Sequence, residues 1–85
     1  MSFHTYILQS ATTGKLYIGQ TNNLEDRLVR HNTNRNKYTA GKGPWLLYFS
    51  KCFETRAEAV QLEQQLKNWK NPAKVKQWVA EQMNG

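Results

Sequence analysis

Two tyrosines lie on either side of a short polar segment near the start of the chain, Tyr6 in "TYIL" and Tyr17 in "LYIG". Later in the sequence, Arg27 and His31 stand one helical turn apart, and Glu63 stands in a second segment with helical spacing. Hydrolysis of a phosphodiester requires an activated water, a positive charge near the phosphorus and help for the leaving oxygen. A metal, an arginine and a face lined by tyrosines would supply these functions, so the residue types suit that chemistry.

Each of these residues also has a structural interpretation, and the residue types alone leave both open. Tyrosines in β-forming segments commonly pack across neighbouring strands, although nearby positive charge would favour a tyrosine phenolate. Arg27 could extend along the rim of a sheet, and His31 could be an ordinary hydrogen-bonded histidine. Glu63 could be the structural partner of Arg27, or an oxygen ligand for Mg²⁺, which commonly takes only one or two protein carboxylates.

The two tyrosines are predicted to lie on paired strands. "FHTYILQS", residues 3–10, alternates along its length and is rich in β-forming residues, and "KLYIGQ", residues 15–20, resumes as a second strand. Between them, "ATTGK" has the composition of a turn, with Gly14 free to take a positive φ. The sequence therefore predicts a β-hairpin in which the tyrosine-bearing segments are antiparallel neighbours.

A first helix is predicted over about residues 24–32. Asn22 or Asn23 can cap its first turn, and Asn22 stands three residues before Glu25, as in a capping box. The helix therefore has a recognisable start directly after the hairpin.

The apolar residues of this helix indicate which side faces the sheet. At about 100° per residue, Arg27 and His31 fall on or beside the face that Leu24 and Leu28 define. Both polar side chains are therefore expected to point towards the sheet.

The second half of the chain predicts a loop, a third strand and two helices. "NTNRNKYTAGKG" has loop composition, and "PWLLYFSKCF" is nearly continuously apolar, as expected of a strand covered on at least one face. Thr55 followed by Glu58 is a capping-box signature that begins the second helix, and Asn71 and Pro72 end it and begin the third. The third helix has an apolar stripe of Val75, Trp78, Val79 and Met83.

Glu63 is placed unusually for a carboxylate on the second helix. It lies about 40° from Ala59, within or at the edge of the arc that holds Leu62 and Leu66. We therefore expect the two helices to present Arg27 and Glu63 across the same sheet face as the tyrosines.

The charge balance favours a polyanionic partner. The 85-residue chain has 12 lysines and arginines against 6 acidic residues, with a net charge of +6 and a pI near 9.7. From Arg27 to Phe53 there is no carboxylate. Such a surface suits phosphate contacts with counterion release. The chain length predicts one domain, residues 1–85.

Cys52 is the single cysteine, which excludes an internal disulfide framework, and we expect it in the apolar core. One cysteine and two histidines cannot assemble a Cys/His zinc site. The sequence has no basic segment followed by an apolar run at its start, and no apolar stretch of membrane-spanning length. We therefore expect a soluble, cytoplasmic domain without membrane contact.

Taken in order, these residues resemble the GIY-YIG nuclease family, and the match covers nearly the whole chain. "HTY", which ends at Tyr6, stands at the family's first tripeptide, and "YIG", which begins at Tyr17, stands at its second. The pattern continues with Arg27 in "NNLEDRLVRHN", His31 one turn later and Glu63 in "EAVQLEQQLK". The overall appearance is similar to small standalone bacterial members of the family.

Two positions depart from the family pattern. His4 and Thr5 replace the glycine and isoleucine of the first tripeptide, and Gln20 follows "YIG" where some relatives carry lysine. If a cation is needed there, Lys15 or an arginine must supply it.

The resemblance implies an α/β fold of the α+β type, a three-stranded antiparallel sheet flanked by helices in the order β-β-α-β-α-α. It also implies cleavage of DNA phosphodiester bonds with one divalent metal, Mg²⁺ or Mn²⁺. By position, Glu63 would be the metal ligand, and Arg27 would stabilise charge on the scissile phosphate. Tyr6 and Tyr17 would flank the site, with Tyr17 favoured as the general base, and His31 would assist by hydrogen bonding or proton transfer.

We therefore expect a metal-dependent DNA endonuclease acting in DNA repair, recombination or processing. The residues expected to contact DNA are Lys15, Arg30, Arg35, Lys37, Tyr38, Lys42 and Lys67. The alternative is a non-catalytic nucleic-acid-binding domain that retains the fold and the basic face. A protein partner that supplies specificity is left open, as is the oligomeric state.

Overall fold

A computed structural model of the protein describes residues 2–33 and 43–84. Its elements are β1 (Phe3–Ser10), β2 (Leu16–Thr21), α1 (Leu24–Asn32), β3 (Trp45–Phe53), α2 (Arg56–Trp69) and α3 (Pro72–Asn84). The predicted order and fold class are confirmed. Within these residues, no helix has the length and apolar character needed to cross a membrane.

The three strands form one antiparallel sheet in the order β2-β1-β3, with β1 in the centre. The pairing of β1 with β2 places Tyr6 opposite Gly19 and Leu8 opposite Tyr17. Gly14 in the connecting turn has a φ of 74°, a conformation that glycine adopts without steric cost. The predicted hairpin is therefore confirmed, and the tyrosine-bearing strands are direct neighbours.

Different helices cover the two faces of the sheet. On one face, α2 and α3 pack in an apolar core whose buried members are Ile7, Leu62, Leu66, Val75 and Val79. On the other face, α1 packs through Leu24 and Leu28. The buried members of that second core are Tyr6, Leu8 and Trp45. Each core therefore forms around one face of β1.

Helices α1 and α2 lie on opposite faces, which corrects the expectation that they would share one. Successive residues of a strand point to opposite faces, so Tyr6 contacts the α1 core and Ile7 contacts α2. The hydroxyl of Thr5 donates a hydrogen bond of 2.7 Å to the carbonyl of Ala59, which fixes α2 to the face of Ile7. Because α2 packs along β1 and the edge strand β2, Glu63 lies on the helix behind the tyrosine face.

All three helices begin at capping side chains. Asn23, rather than Asn22, caps α1, because its side chain accepts the backbone N–H of Asp26 at 3.0 Å. At α2 the predicted cap is confirmed, since Thr55 accepts the backbone N–H of Glu58 at 3.3 Å. Asn71 caps α3, because its side chain accepts the backbone N–H groups of Ala73 at 3.0 Å and Lys74 at 3.3 Å. Each cap satisfies a backbone donor that the first helical turn leaves free.

Two residues of apolar segments are exposed, and for Cys52 this shows that the expectation of a position in the apolar core is wrong. Cys52 pairs with His4 in the sheet and lies on the edge strand β3, at the opposite end from the core residue Trp45. Met83 is 73% exposed and lies one turn beyond Val79, which is buried against α2. In each case the element continues past the core that its apolar pattern suggested.

Candidate active site

Tyr6, Tyr17 and His31 form a tyrosine–histidine cluster on the α1 face of the sheet. The hydroxyl of Tyr6 and Nε2 of His31 are hydrogen-bonded at 3.1 Å. The ring centroids of Tyr17 and His31 are 4.6 Å apart, and those of the two tyrosines are 6.3 Å apart. Tyr6 and His31 are 2% and 1% exposed, respectively. The structure therefore brings together three of the residues predicted for the site, and His31 points towards the sheet as expected.

Gly19 makes room for the hydroxyl of Tyr6. The two residues are directly opposite in the β1–β2 pairing, and a Cβ atom added to Gly19 would lie 2.6 Å from that hydroxyl oxygen. Any residue larger than glycine would therefore push the tyrosine ring away. The role of Gly19 is not predicted from the sequence, although a glycine inside a strand often marks a close approach of this kind.

Burial keeps Tyr6 and His31 in their neutral forms. It raises the pKa of Tyr6 above its ordinary value; Tyr17 adds to this rise, Arg27 opposes it and Glu63 adds to it. Burial also lowers the pKa of His31, and the positive charge of Arg27 lowers it further. Arg27 thus favours a phenolate at Tyr6, as expected from the sequence, but the effect of burial is larger. The hydrogen bond between the two side chains joins two neutral groups at pH 7.

Arg27 lies on α1, is partly buried and acts electrostatically on both buried members of the cluster, Tyr6 and His31. Within residues 2–33 and 43–84, no carboxylate forms an ion pair with it. Glu63, the structural partner considered for Arg27, instead accepts from Nζ of Lys67 at 2.8 Å. The interpretation of Arg27 and Glu63 as a structural ion pair is therefore not supported by their positions.

Glu63 is the residue that could hold a metal ion. Its side chain is only 13% exposed, while the paired Lys67 is 48% exposed. The described part of the chain contains no group of three or more histidine, cysteine or acidic residues suited to a metal. A lone carboxylate does not suit ions that prefer nitrogen or sulfur ligands, such as Zn²⁺ or Cu²⁺, but one carboxylate with several waters fits Mg²⁺ or Mn²⁺. The residues present are thus compatible with the expected metal.

The basic residues expected to contact DNA are only partly within the described residues. Lys15, Arg30 and Lys67 lie there, and Arg35, Lys37, Tyr38 and Lys42 lie outside. Lys15 and Lys67 line the same cleft beside Tyr17. Arg30 forms an ion pair of 2.9 Å with Asp26 on the exposed side of α1. The structure therefore joins two of these lysines and leaves Arg30 apart from them.

The side chain of Gln20, at the position where some relatives carry lysine, accepts a hydrogen bond of 2.9 Å from Nη1 of Arg56. Gln20 pairs with Thr5, whose side chain faces α2. An arginine thus lies beside this position, on the face of the sheet away from Tyr6 and Tyr17.

Residues 2–77 match the model of the family described as the GIY-YIG catalytic domain. The chain belongs to the GIY-YIG family. This membership confirms the resemblance found in the sequence and supports a nuclease-type function for the domain.

Curated relatives and a solved structure agree with this membership. The UPF0213 protein of Bacillus pumilus is 40% identical over 67 residues, which are 78% of this GIY-YIG chain and 68% of the relative. The UPF0213 protein of Bacillus licheniformis is 43% identical over 61 residues, covering 71% of the chain and 63% of that relative, or less than two thirds of its length. The solution NMR structure of a UPF0213 protein from Bacillus halodurans matches with a TM-score of 0.61 at 31% identity, over 94% of this chain and 84% of that one.

Proposed function

We propose that this GIY-YIG protein is an endonuclease that hydrolyses DNA phosphodiester bonds with Mg²⁺ or Mn²⁺, in the repair, recombination or processing of DNA. The observation that carries the proposal is the tyrosine–histidine cluster, with the charges of Arg27 and Glu63 close enough to act on Tyr6. The net charge of +6 favours a polyanionic substrate. Membership of the GIY-YIG family supports the same chemistry.

Arg27 is the residue that we assign to the scissile phosphate. Its guanidinium presents planar donors that match phosphate oxygens, and no described carboxylate occupies them. Partial burial increases the effect of its charge compared with a fully solvated arginine. Arg27 would therefore stabilise the negative charge that develops on the phosphate oxygens.

The two tyrosines receive different roles. Because burial raises the pKa of Tyr6 and lowers that of His31, their hydrogen-bonded pair is neutral and Tyr6 is unsuited to act as a base. Tyr17, which packs against His31 and is less buried than Tyr6, is the residue that we assign as general base. As a phenolate, Tyr17 would take a proton from the attacking water while the new P–O bond forms, and the leaving oxygen would take a proton from solvent as its bond to phosphorus breaks.

Glu63 is assigned as the protein ligand of the metal. When bound, the metal would supply positive charge near the phosphate and lower the pKa of a bound water. Glu63 lies on α2, on one face of the sheet, and the tyrosines lie on the other face. The site would therefore lie at the edge of the sheet formed by β2, where the two faces meet.

A cleavage assay tests the proposal with supercoiled, single-stranded and branched DNA, each with Mg²⁺, Mn²⁺ or chelator. We expect metal-dependent cutting of at least one substrate. Glu63→Gln and Arg27→Gln should each lower the rate by about 10²-fold or more. The matched variants Glu81→Gln and Arg56→Gln make the same charge changes on exposed residues outside the cluster and should cut like wild type.

If the folded protein cuts none of these substrates, or if Glu63→Gln and Arg27→Gln cut as fast as wild type, the proposal is wrong. DNA binding with a steep salt dependence but without cleavage would instead support the non-catalytic nucleic-acid-binding domain.

A further inference from the structure

A cleft lies beside Tyr17, between the edge strand β2 and the junction of α2 and α3, and has a volume of about 780 Å³. Three lysines line it: Lys15 directly precedes β2, Lys67 belongs to the last turn of α2, and Lys70 is the C-cap of that helix. We call it the lysine cleft. None of the described residues that line it is acidic.

The rest of the lining of the lysine cleft is mostly apolar. Leu16 and Ile18 of β2 and Pro72 of α3 keep part of their surface exposed there. Leu66 and Val75 lie beneath them and are almost completely buried. The cleft thus combines positive charge with an apolar surface, and Tyr17 is one of the residues that line it.

The lysine cleft adjoins the candidate active site through two of its lining residues, one on each face of the sheet. Tyr17 lines the cleft and belongs to the tyrosine–histidine cluster. Lys67 lines the cleft and places its ammonium 2.8 Å from Oε2 of Glu63. A chain lying in the cleft would therefore lead directly to the residues assigned to cleavage.

We infer that the lysine cleft binds an unpaired segment of the DNA strand beside the bond to be cut. This inference rests on the proposed function and adds the position and the form of the substrate. The three lysines match the phosphates, and the apolar surface with Tyr17 matches the faces of unstacked bases. A duplex would contact the lysines but would leave the apolar surface unused, because its bases are stacked on one another.

Equilibrium binding without cleavage tests this inference. Fluorescence anisotropy would follow a labelled oligothymidylate on the full chain, with chelator present so that no strand is cut. Lys15→Gln and Lys70→Gln should each weaken binding by about threefold to tenfold and lower the salt slope by about 0.7. The matched variant is Lys51→Gln, which removes the same charge from an exposed residue of β3 outside the cleft and should bind like wild type. Circular dichroism would establish that each variant is folded.

Competition identifies the form of the occupant. Unlabelled single strand should displace the labelled strand at a concentration at least about tenfold lower than a duplex of equal length, since only unpaired bases reach the apolar surface. Equal displacement by the duplex, equal weakening by Lys51→Gln, or unchanged binding in both cleft variants would overturn the inference. Because no metal or cleavage enters this measurement, its failure is distinguishable from failure of the proposed function.

Discussion

A Cβ atom on Gly19 would lie 2.6 Å from the hydroxyl oxygen of Tyr6, closer than nonbonded atoms of this kind approach. The same hydroxyl is hydrogen-bonded to His31 at 3.1 Å. The side chain missing from one strand thus sets the position of the tyrosine on the next. Gly19 acts on the cluster through Tyr6 and is a positioning residue.

Gly19→Ala should therefore displace Tyr6 and lower the free energy of unfolding by about 1–3 kcal/mol, the usual cost of overpacking a buried site. Urea denaturation measures this loss. Tyr6→Phe removes the closest atom, so the double variant Gly19→Ala, Tyr6→Phe should lose less than the sum of the two single variants. Strict additivity of the two losses would contradict the contact.

The buried histidine predicts a dependence of stability on pH. Burial and Arg27 lower the pKa of His31 below its ordinary value of 6.5, so the unfolded chain takes up a proton at a higher pH than the folded protein does. The stability that the neutral, buried His31 contributes is therefore fully present above about pH 6.5 and is lost as the pH falls towards the pKa of His31 in the folded protein. The free energy of unfolding should fall by at most about 1.4 kcal/mol per pH unit in this range.

Urea denaturation between pH 8 and pH 5 checks this expectation. His31→Gln should flatten the fall in stability below about pH 6.5. His4→Gln removes the other histidine and should keep the fall, because the buried imidazole remains. A wild-type slope that persists unchanged in His31→Gln would show that another group is responsible.

Periodicity was sufficient to predict the elements and the buried side of α1. Leu24 and Leu28 defined a face that His31 shares, and His31 is 1% exposed against the sheet. The alternation along β1 and β2 likewise placed Tyr6 and Tyr17 on paired strands. These are local patterns, in which the residues that decide the outcome are neighbours in the sequence.

Relationships between distant elements could not be predicted in the same way. A helical stripe shows that α2 has a buried side, but it does not show which face of the sheet that side covers. The hydrogen bond from Thr5 of β1 to Ala59 of α2 identifies the face. The ion pair of Glu63 is with Lys67, one turn away, rather than with the distant Arg27 that the sequence suggested. The apolar run of β3 likewise did not reveal that Cys52 lies on an exposed edge.

The exposed position of Cys52 predicts its accessibility to reagents. The thiol should react with dithiobis(nitrobenzoic acid) under native conditions at nearly the rate seen in denaturant, because no packed side chains must move away first. The absorbance of the released thiolate measures the rate, and Cys52→Ser supplies the blank. Protection of the native thiol by two or more orders of magnitude would mean that Cys52 is covered.

The ion pair between Glu63 and Lys67 predicts how the proposed metal site would bind a cation in the absence of DNA. The Lys67 ammonium, 2.8 Å from Oε2 of Glu63, occupies a position near the carboxylate and repels a divalent cation that approaches it. Lys67→Gln should therefore strengthen Mn²⁺ binding, by about fivefold at most, because water screens this half-exposed ammonium. Glu63→Gln should abolish the same binding, since it removes the charged ligand.

Isothermal titration with Mn²⁺ on the full chain would measure both effects, and Glu81→Gln with Lys51→Gln would provide matched charge changes on exposed surfaces. The Lys67→Gln chain should still bind the single strand more weakly than wild type, because the same lysine lines the lysine cleft. A lysine that merely stabilised α2 would shift the unfolding transition without separating these two affinities. Weaker Mn²⁺ binding in folded Lys67→Gln, or unchanged Mn²⁺ binding in Glu63→Gln, would remove Glu63 from the metal site.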